Sequence, residues 1–264
     1  MRFTGSVYPA IFFYLLIALS YLAYLPGLSG DFLFDDFPNL QPMGDLGGVT
    51  NWETFTSFVL SGFADPTGRP ISLASFLLDD NTWPSQAIWF KQTNILIHLL
   101  CGVMLCWAVL LLLRNMKTVS ERQAQWISVL ACACWLLHPY MVSTTLYVVQ
   151  RMAQLATLFC LSGIVMYLYG RLQLTARPKF AYLLMTVAVG LMTLLAAFSK
   201  ENGALLPLLI LVIEFSLSKN DEKPLWQWRA AFLWLPSMAI FMLLVRYIDF
   251  SENPWPSRGF NQVE

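Results

Sequence analysis

Two adjacent aspartates, Asp35 and Asp36, stand in Gly-Asp-Phe-Leu-Phe-Asp-Asp-Phe-Pro-Asn-Leu, just beyond the first long apolar stretch of the chain. A carboxylate can take the proton of an attacking hydroxyl, and a neighbouring pair suits a hard divalent cation such as Mg or Mn. Further polar residues recur beside apolar segments: Arg69, Asn94 and His98, His138, Gln150 with Arg151, and Lys200 with Glu201. Guanidinium and ammonium groups hold phosphate oxygens through charge-assisted hydrogen bonds. Acids and cations gathered at one membrane face describe a reaction on a phosphorylated, lipid-borne substrate. Each residue also has a plainer reading. The aspartates can be a solvated loop edge, Lys200-Glu201 an ion pair at a helix end, and His138 a helix-end cap. Arg151 can snorkel to headgroups, and Asn94 and His98, four apart on one helical face, can bond between helices. Glu214 reads as an interfacial acid near the inner end of a span.

The elements that must position these groups follow from composition. Of 264 residues, 57% are hydrophobic and 12% are charged, whereas soluble domains carry roughly 25% charge. The chain therefore reads as one all-α, polytopic membrane domain over residues 1–264. A crossing helix needs roughly twenty apolar residues. That length places seven spans near 8–27, 92–113, 125–140, 147–170, 180–198, 203–218 and 230–248. His138-Pro139 interrupts the third and fourth, where a short broken helix or re-entrant turn is the alternative. The first span lacks a small-residue cleavage site and reads as retained.

Orientation comes from lysine and arginine. Arg114, Lys117, Arg122, Arg171, Arg177, Lys179, Lys219, Lys223 and Arg229 occupy three short loops that must share a side. With Arg2 they place that side, and the N-terminus, in the cytoplasm, with 28–91 as a large outer loop. Crossing parity then brings Asp35/Asp36, Arg69, the His138 to Arg151 stretch and Lys200-Glu201 to the outer face. Within the loop, Trp52, Phe55, Phe58 and Val59 have the spacing of an amphipathic helix on the membrane surface. Ile71–Leu78 is a second short apolar segment, and Trp83, Trp89 and Phe90 read as interfacial anchors. Cys101, Cys106, Cys132, Cys134 and Cys160 all lie inside apolar runs, as core or lipid-facing thiols and not a disulfide framework.

The ordered motifs resemble those of the tetratricopeptide-repeat-containing transmembrane O-mannosyltransferases and their bacterial relatives. They are Phe34-Asp35-Asp36-Phe-Pro-Asn-Leu, Gly68-Arg69-Pro70-Ile-Ser, Phe90-Lys-Gln-Thr-Asn94-Ile-Leu-Ile-His98, Leu137-His138-Pro139 running to Val149-Gln150-Arg151, and Phe198-Ser-Lys200-Glu201-Asn-Gly203. The resemblance implies a GT-C-like core and a glycosyltransferase that uses a polyprenyl-phosphate sugar donor in a bacterial inner membrane, with its active face periplasmic. By position it makes Asp35 and Asp36 the catalytic or metal-binding candidates, with Asp36 ahead. Arg151 and Lys200 become phosphate ligands, while Glu201, His138 and Arg69 shape the clefts and Asn94, His98 and Gln150 line them. The acceptor would be a protein hydroxyl or a glycan. On this resemblance the sequence would correspond to the N-terminal membrane portion of that family, without its further helices or repeat domain.

Two other classes compete. A transporter or flippase of lipid-linked saccharide would use the same groups for binding alone. A non-catalytic subunit would need a second membrane protein. No Gly-rich phosphate loop, His-Glu-x-x-His or Gly-x-Ser-x-Gly occurs, and the scattered basic residues make no nucleic-acid patch.

Overall fold

Long runs of leucine, valine, phenylalanine and alanine lose little by coiling, and in the computed structural model they do so throughout. It describes residues 7–62, 67–217 and 223–247, which are helical or in connecting turns, with no strand. The helices are α1 (Tyr8–Tyr24), α2 (Asp36–Asp45), α3 (Trp52–Val59), α4 (Pro70–Phe76), α5 (Ala87–Met116), α6 (Glu121–Leu136) and α7 (Met141–Leu146). They continue with α8 (Arg151–Gln173), α9 (Pro178–Val189), α10 (Leu191–Ala197), α11 (Leu206–Ser216), α12 (Trp226–Arg229) and α13 (Leu235–Tyr247).

Among the described residues, five helical stretches are long and apolar enough to cross a membrane: Tyr8–Ser29, Ala87–Met116, Val148–Gln173, Pro178–Ala197 and Trp226–Arg246. They fall on the expected first, second, fourth, fifth and seventh spans; residue 248, the expected end of the last, lies outside the described residues. The expected third and sixth spans contain helices too short to be among these five; residue 218, the expected end of the sixth, lies outside the described residues. A capping box of Ser120 and Gln123 opens α6, which ends ahead of Pro139, as the restricted residue before a proline favours. Its 16 residues cover about 24 Å at 1.5 Å each, against a hydrocarbon core of about 30 Å. α11 has 11 residues and follows a 3-10 turn, Glu201–Leu205.

α5 and α8 form the central pair. α1 and α6 pack on α5, and α9, α10 and α11 pack on α8. Gly102 lets α6 approach closely, because a Cβ there would lie 2.6 Å from Leu136. At one end, α2, α3 and α4 build a cap with its own core: Leu40, Met43, Phe58, Leu73, Phe76, Phe90 and Met152. α3 forms where the spacing predicts it, yet it packs Phe58 and Val59 into this cap and leaves Trp52 exposed. Phe90 is fully buried there too, so it is a core residue and not an interfacial anchor.

At the opposite end, Glu214 corrects the reading as an interfacial acid. It is buried, accepts from Tyr167 Oη at 2.6 Å, and lies 3.3 Å from Arg171 Nε. All five cysteines are free thiols. Cys101, Cys106 and Cys132 are buried, while Cys134, two residues beyond Cys132, is exposed on another face of α6.

Candidate functional site

Hydrogen bonds between distant segments gather one end of the bundle beneath the cap. Val149 N–H donates to Asp36 Oδ1 at 2.7 Å, Asp35 N–H donates to Tyr147 Oη at 2.9 Å, and Ser72 Oγ donates to the Ser199 carbonyl at 2.8 Å. These contacts join the segment after α1 to the start of α8, and the start of α4 to the turn after α10. Between them lies a partly open cleft of about 300 Å³, lined by Asp35, Asn39, Arg69, Gln150, Met152 and Lys200, among others.

The two aspartates differ completely. Asp35 is exposed and faces the cleft. Asp36 opens α2, is 1% exposed, and accepts from Leu33 N–H at 2.8 Å as well as from Val149 N–H. Burial raises its carboxyl above the ordinary aspartate value; the backbone donors at Leu33, Val149 and Val148 and the Lys91 ammonium pull the other way. Asp36 is thus a fastener between segments, which reverses the order in which the resemblance ranks the pair. The pair also does not fit a shared metal ion, since Asp36 spends both oxygens on backbone amides while Asp35 points elsewhere. Among the described residues, no group of three or more His, Cys, Asp or Glu converges as metal ligands.

Arg69 sits at φ 52°, ψ 49°, in the left-handed region, and caps the start of α4. Its Nη2 and Nε reach Glu201 Oε2 at 2.9 and 3.2 Å. Lys200 is half-buried and extended between α10 and the Glu201–Leu205 turn. It forms no ion pair among the described residues. Gly203 allows this turn, since a Cβ would fall 2.3 Å from the Ala196 carbonyl carbon.

Arg151 is not a phosphate ligand in this arrangement. It is 0% exposed, 2.5 Å from Asp79 Oδ2, and donates to Asn94 Oδ1 at 2.7 Å, the Ser75 carbonyl at 2.9 Å and the Phe90 carbonyl at 2.8 Å. The Phe76 ring covers its guanidinium at 4.8 Å. With its donors engaged and water excluded, Arg151 ties α4, α5 and α8 together. Asn94 completes the tie by donating to the Val148 carbonyl at 3.2 Å. His98 is also buried and does not line the cleft; its Nε2 lies 3.2 Å from the Leu136 carbonyl and its ring stacks on Trp135. His138 is exposed in a separate groove with Trp135, Tyr140 and Met141, and its Nδ1 accepts from Tyr140 N–H.

Of the ten residues singled out in the sequence, Asp35, Arg69, Gln150 and Lys200 meet in the cleft, with Glu201 beside it. Three important groups lacked an assigned role. Asp79 is the counter-ion of Arg151, and Tyr147 supports Asp35. Lys91 is 3% exposed and donates to the Gly30 carbonyl at 2.7 Å. The spacing 91, 94, 98 puts Lys91 on the same helical face as Asn94 and His98, a usable signal. Nothing in the sequence distinguishes Tyr147.

A second groove, largely apolar and about 290 Å³, runs along α8 past Ala156, Cys160 and Ile164 and reaches Asn202 and Gly203. It therefore opens beside the Glu201–Leu205 turn that follows Lys200. No protein-family model, characterised protein or solved structure matches this chain.

Proposed function

We propose that the chain is a GT-C-type glycosyltransferase, moving a sugar from a polyprenyl-phosphate carrier to an acceptor hydroxyl. The observation that carries this reading is the meeting of Asp35, Arg69, Gln150 and Lys200, from four distant segments, in one cleft. An apolar groove reaching the turn that follows Lys200 supports an amphiphilic substrate. The acceptor oxygen attacks the anomeric carbon as its proton passes to the Asp35 carboxylate. The bond from that carbon to the carrier phosphate breaks, and the phosphate leaves with the electron pair. Lys200, with Arg69, stabilises the charge gathering on it. Losing one such donor raises the barrier by about 3 kcal/mol. Attack opposite the departing phosphate inverts the anomeric centre.

The basic loops 114–122, 171–179 and 219–229 support a cytoplasmic placement for the end opposite the cleft. In this reading the cleft faces the periplasm from a bacterial inner membrane, and α6 and the Glu201–Ser216 segment complete seven crossings. Radiolabelled lipid-linked sugars, offered to membranes containing the chain, test the activity. Wild type transfers label to protein or glycan, and Asp35→Asn abolishes transfer while keeping the wild-type melting temperature. A correctly inserted wild-type chain that transfers from no donor, or an active Asp35→Asn, overturns the reading.

A further inference from the structure

The segment that carries Asp35 holds one residue in a conformation its type avoids. Phe34 has φ 30°, in the positive region that suits glycine, and such strain persists only where the surroundings over-determine it. They do so here. Asp36 N–H donates to the Leu33 carbonyl at 2.7 Å and Phe37 N–H to the Phe34 carbonyl at 3.3 Å. The Asp36 side chain takes the Leu33 amide, and Tyr147 takes the amide of Asp35. Backbone bonds on both sides thus force Phe34 outward, with 82% of the residue exposed. Leu33 at 46% and Phe37 at 48% are partly exposed beside it, Phe37 resting edge-on against Trp83, so one short, pinned segment offers three large apolar residues.

We propose that Leu33, Phe34 and Phe37 form a tip that inserts into the lipid leaflet beside the cleft. The proposal rests on α1 crossing the membrane and not on any catalytic activity. The crossing segment ends at Ser29, and five residues reach at most about 17 Å, so Phe34 lies near the bilayer boundary. Lys91 shortens that reach by holding the carbonyls of Gly30 and Gly27 to α5. α1 itself is exposed and apolar along its length, at Ile11, Phe12, Leu15, Leu19 and Leu22, as a helix in contact with lipid is. Aromatic and aliphatic side chains at this depth take the boundary between headgroups and acyl chains. Seating the tip there sets the height of Asp35 relative to the headgroups.

Nitroxide accessibility on the full chain in phospholipid nanodiscs tests the tip. Labels go on Phe34→Cys and, separately, Phe37→Cys, with Cys134 and Cys160 changed to serine. Leu15→Cys on α1 is the lipid reference and Asp45→Cys, exposed at the end of α2, is the water reference. The inserted tip relaxes with dissolved oxygen more than with a water-soluble nickel chelate, as Leu15→Cys does. A nickel response matching Asp45→Cys at both positions overturns the proposal in favour of a solvated loop. Low access to both probes overturns it in favour of a protein partner covering the tip. Neither result depends on sugar transfer, so this test and that of the enzyme reading fail separately.

Discussion

The amide protons of Leu33 and Val149 separate two side chains that are chemically identical. Both are spent on Asp36, so Asp36→Asn turns an amide NH₂ towards at least one backbone donor. A buried polar group left unpaired costs about 1–3 kcal/mol, and the variant melts correspondingly lower. Burial places the Asp36 carboxyl above its ordinary value, so the folded chain holds that proton more tightly than the unfolded one. Its contribution to stability is full below the unfolded aspartate value and is lost as pH rises through the raised folded value. Thermal melts of wild type against Asp36→Asn across acidic pH check this, with the slope absent from the variant. Arg151 belongs to the same class. Arg151→Ala leaves Asp79 buried and uncompensated, at about 3–5 kcal/mol. Arg151→Lys does not restore stability, because one ammonium cannot reproduce the planar fork.

Helices and turns decide which of these residues meet. The apolar runs and the basic loops were legible because length and charge act along the chain. The helical spacing at 52, 55, 58 and 59 predicted α3 for the same reason. What was not legible was which way each polar residue faces. Gln150 and Arg151 stand at one end of a helix, yet only packing decides that the second lies under Phe76 and the first lines the cleft. His138 shows the same limit, since it lies in another groove. The Glu201–Leu205 turn gives an element-level prediction. Gly203→Ala forces a Cβ onto Ala196 and displaces the turn. In the proposed enzyme this lowers transfer through a misplaced Lys200, a loss that a stabilising second-site change does not recover. Transfer assays beside melting temperatures distinguish that from simple unfolding.

For the whole molecule, sidedness is the quantity to measure. Impermeant thiol labelling of intact cells is expected to modify Asp45→Cys, whereas Lys117→Cys and Arg177→Cys react only after permeabilisation. If Lys117 and Arg177 label from opposite sides, the crossing assigned to α6 or α8 is wrong. The cleft also shows a recurring arrangement. Asp35 adjoins buried Asp36, Gln150 adjoins buried Arg151, and Lys200 adjoins Ser199, whose carbonyl holds Ser72. Each of these three outward groups is thus one peptide bond from an inward one that keeps its segment in place. The lining of the cleft at Asp35, Gln150 and Lys200 is therefore separable from the architecture, so substitutions at these three positions cost little folding stability, whereas their buried neighbours cannot be changed without loosening a segment.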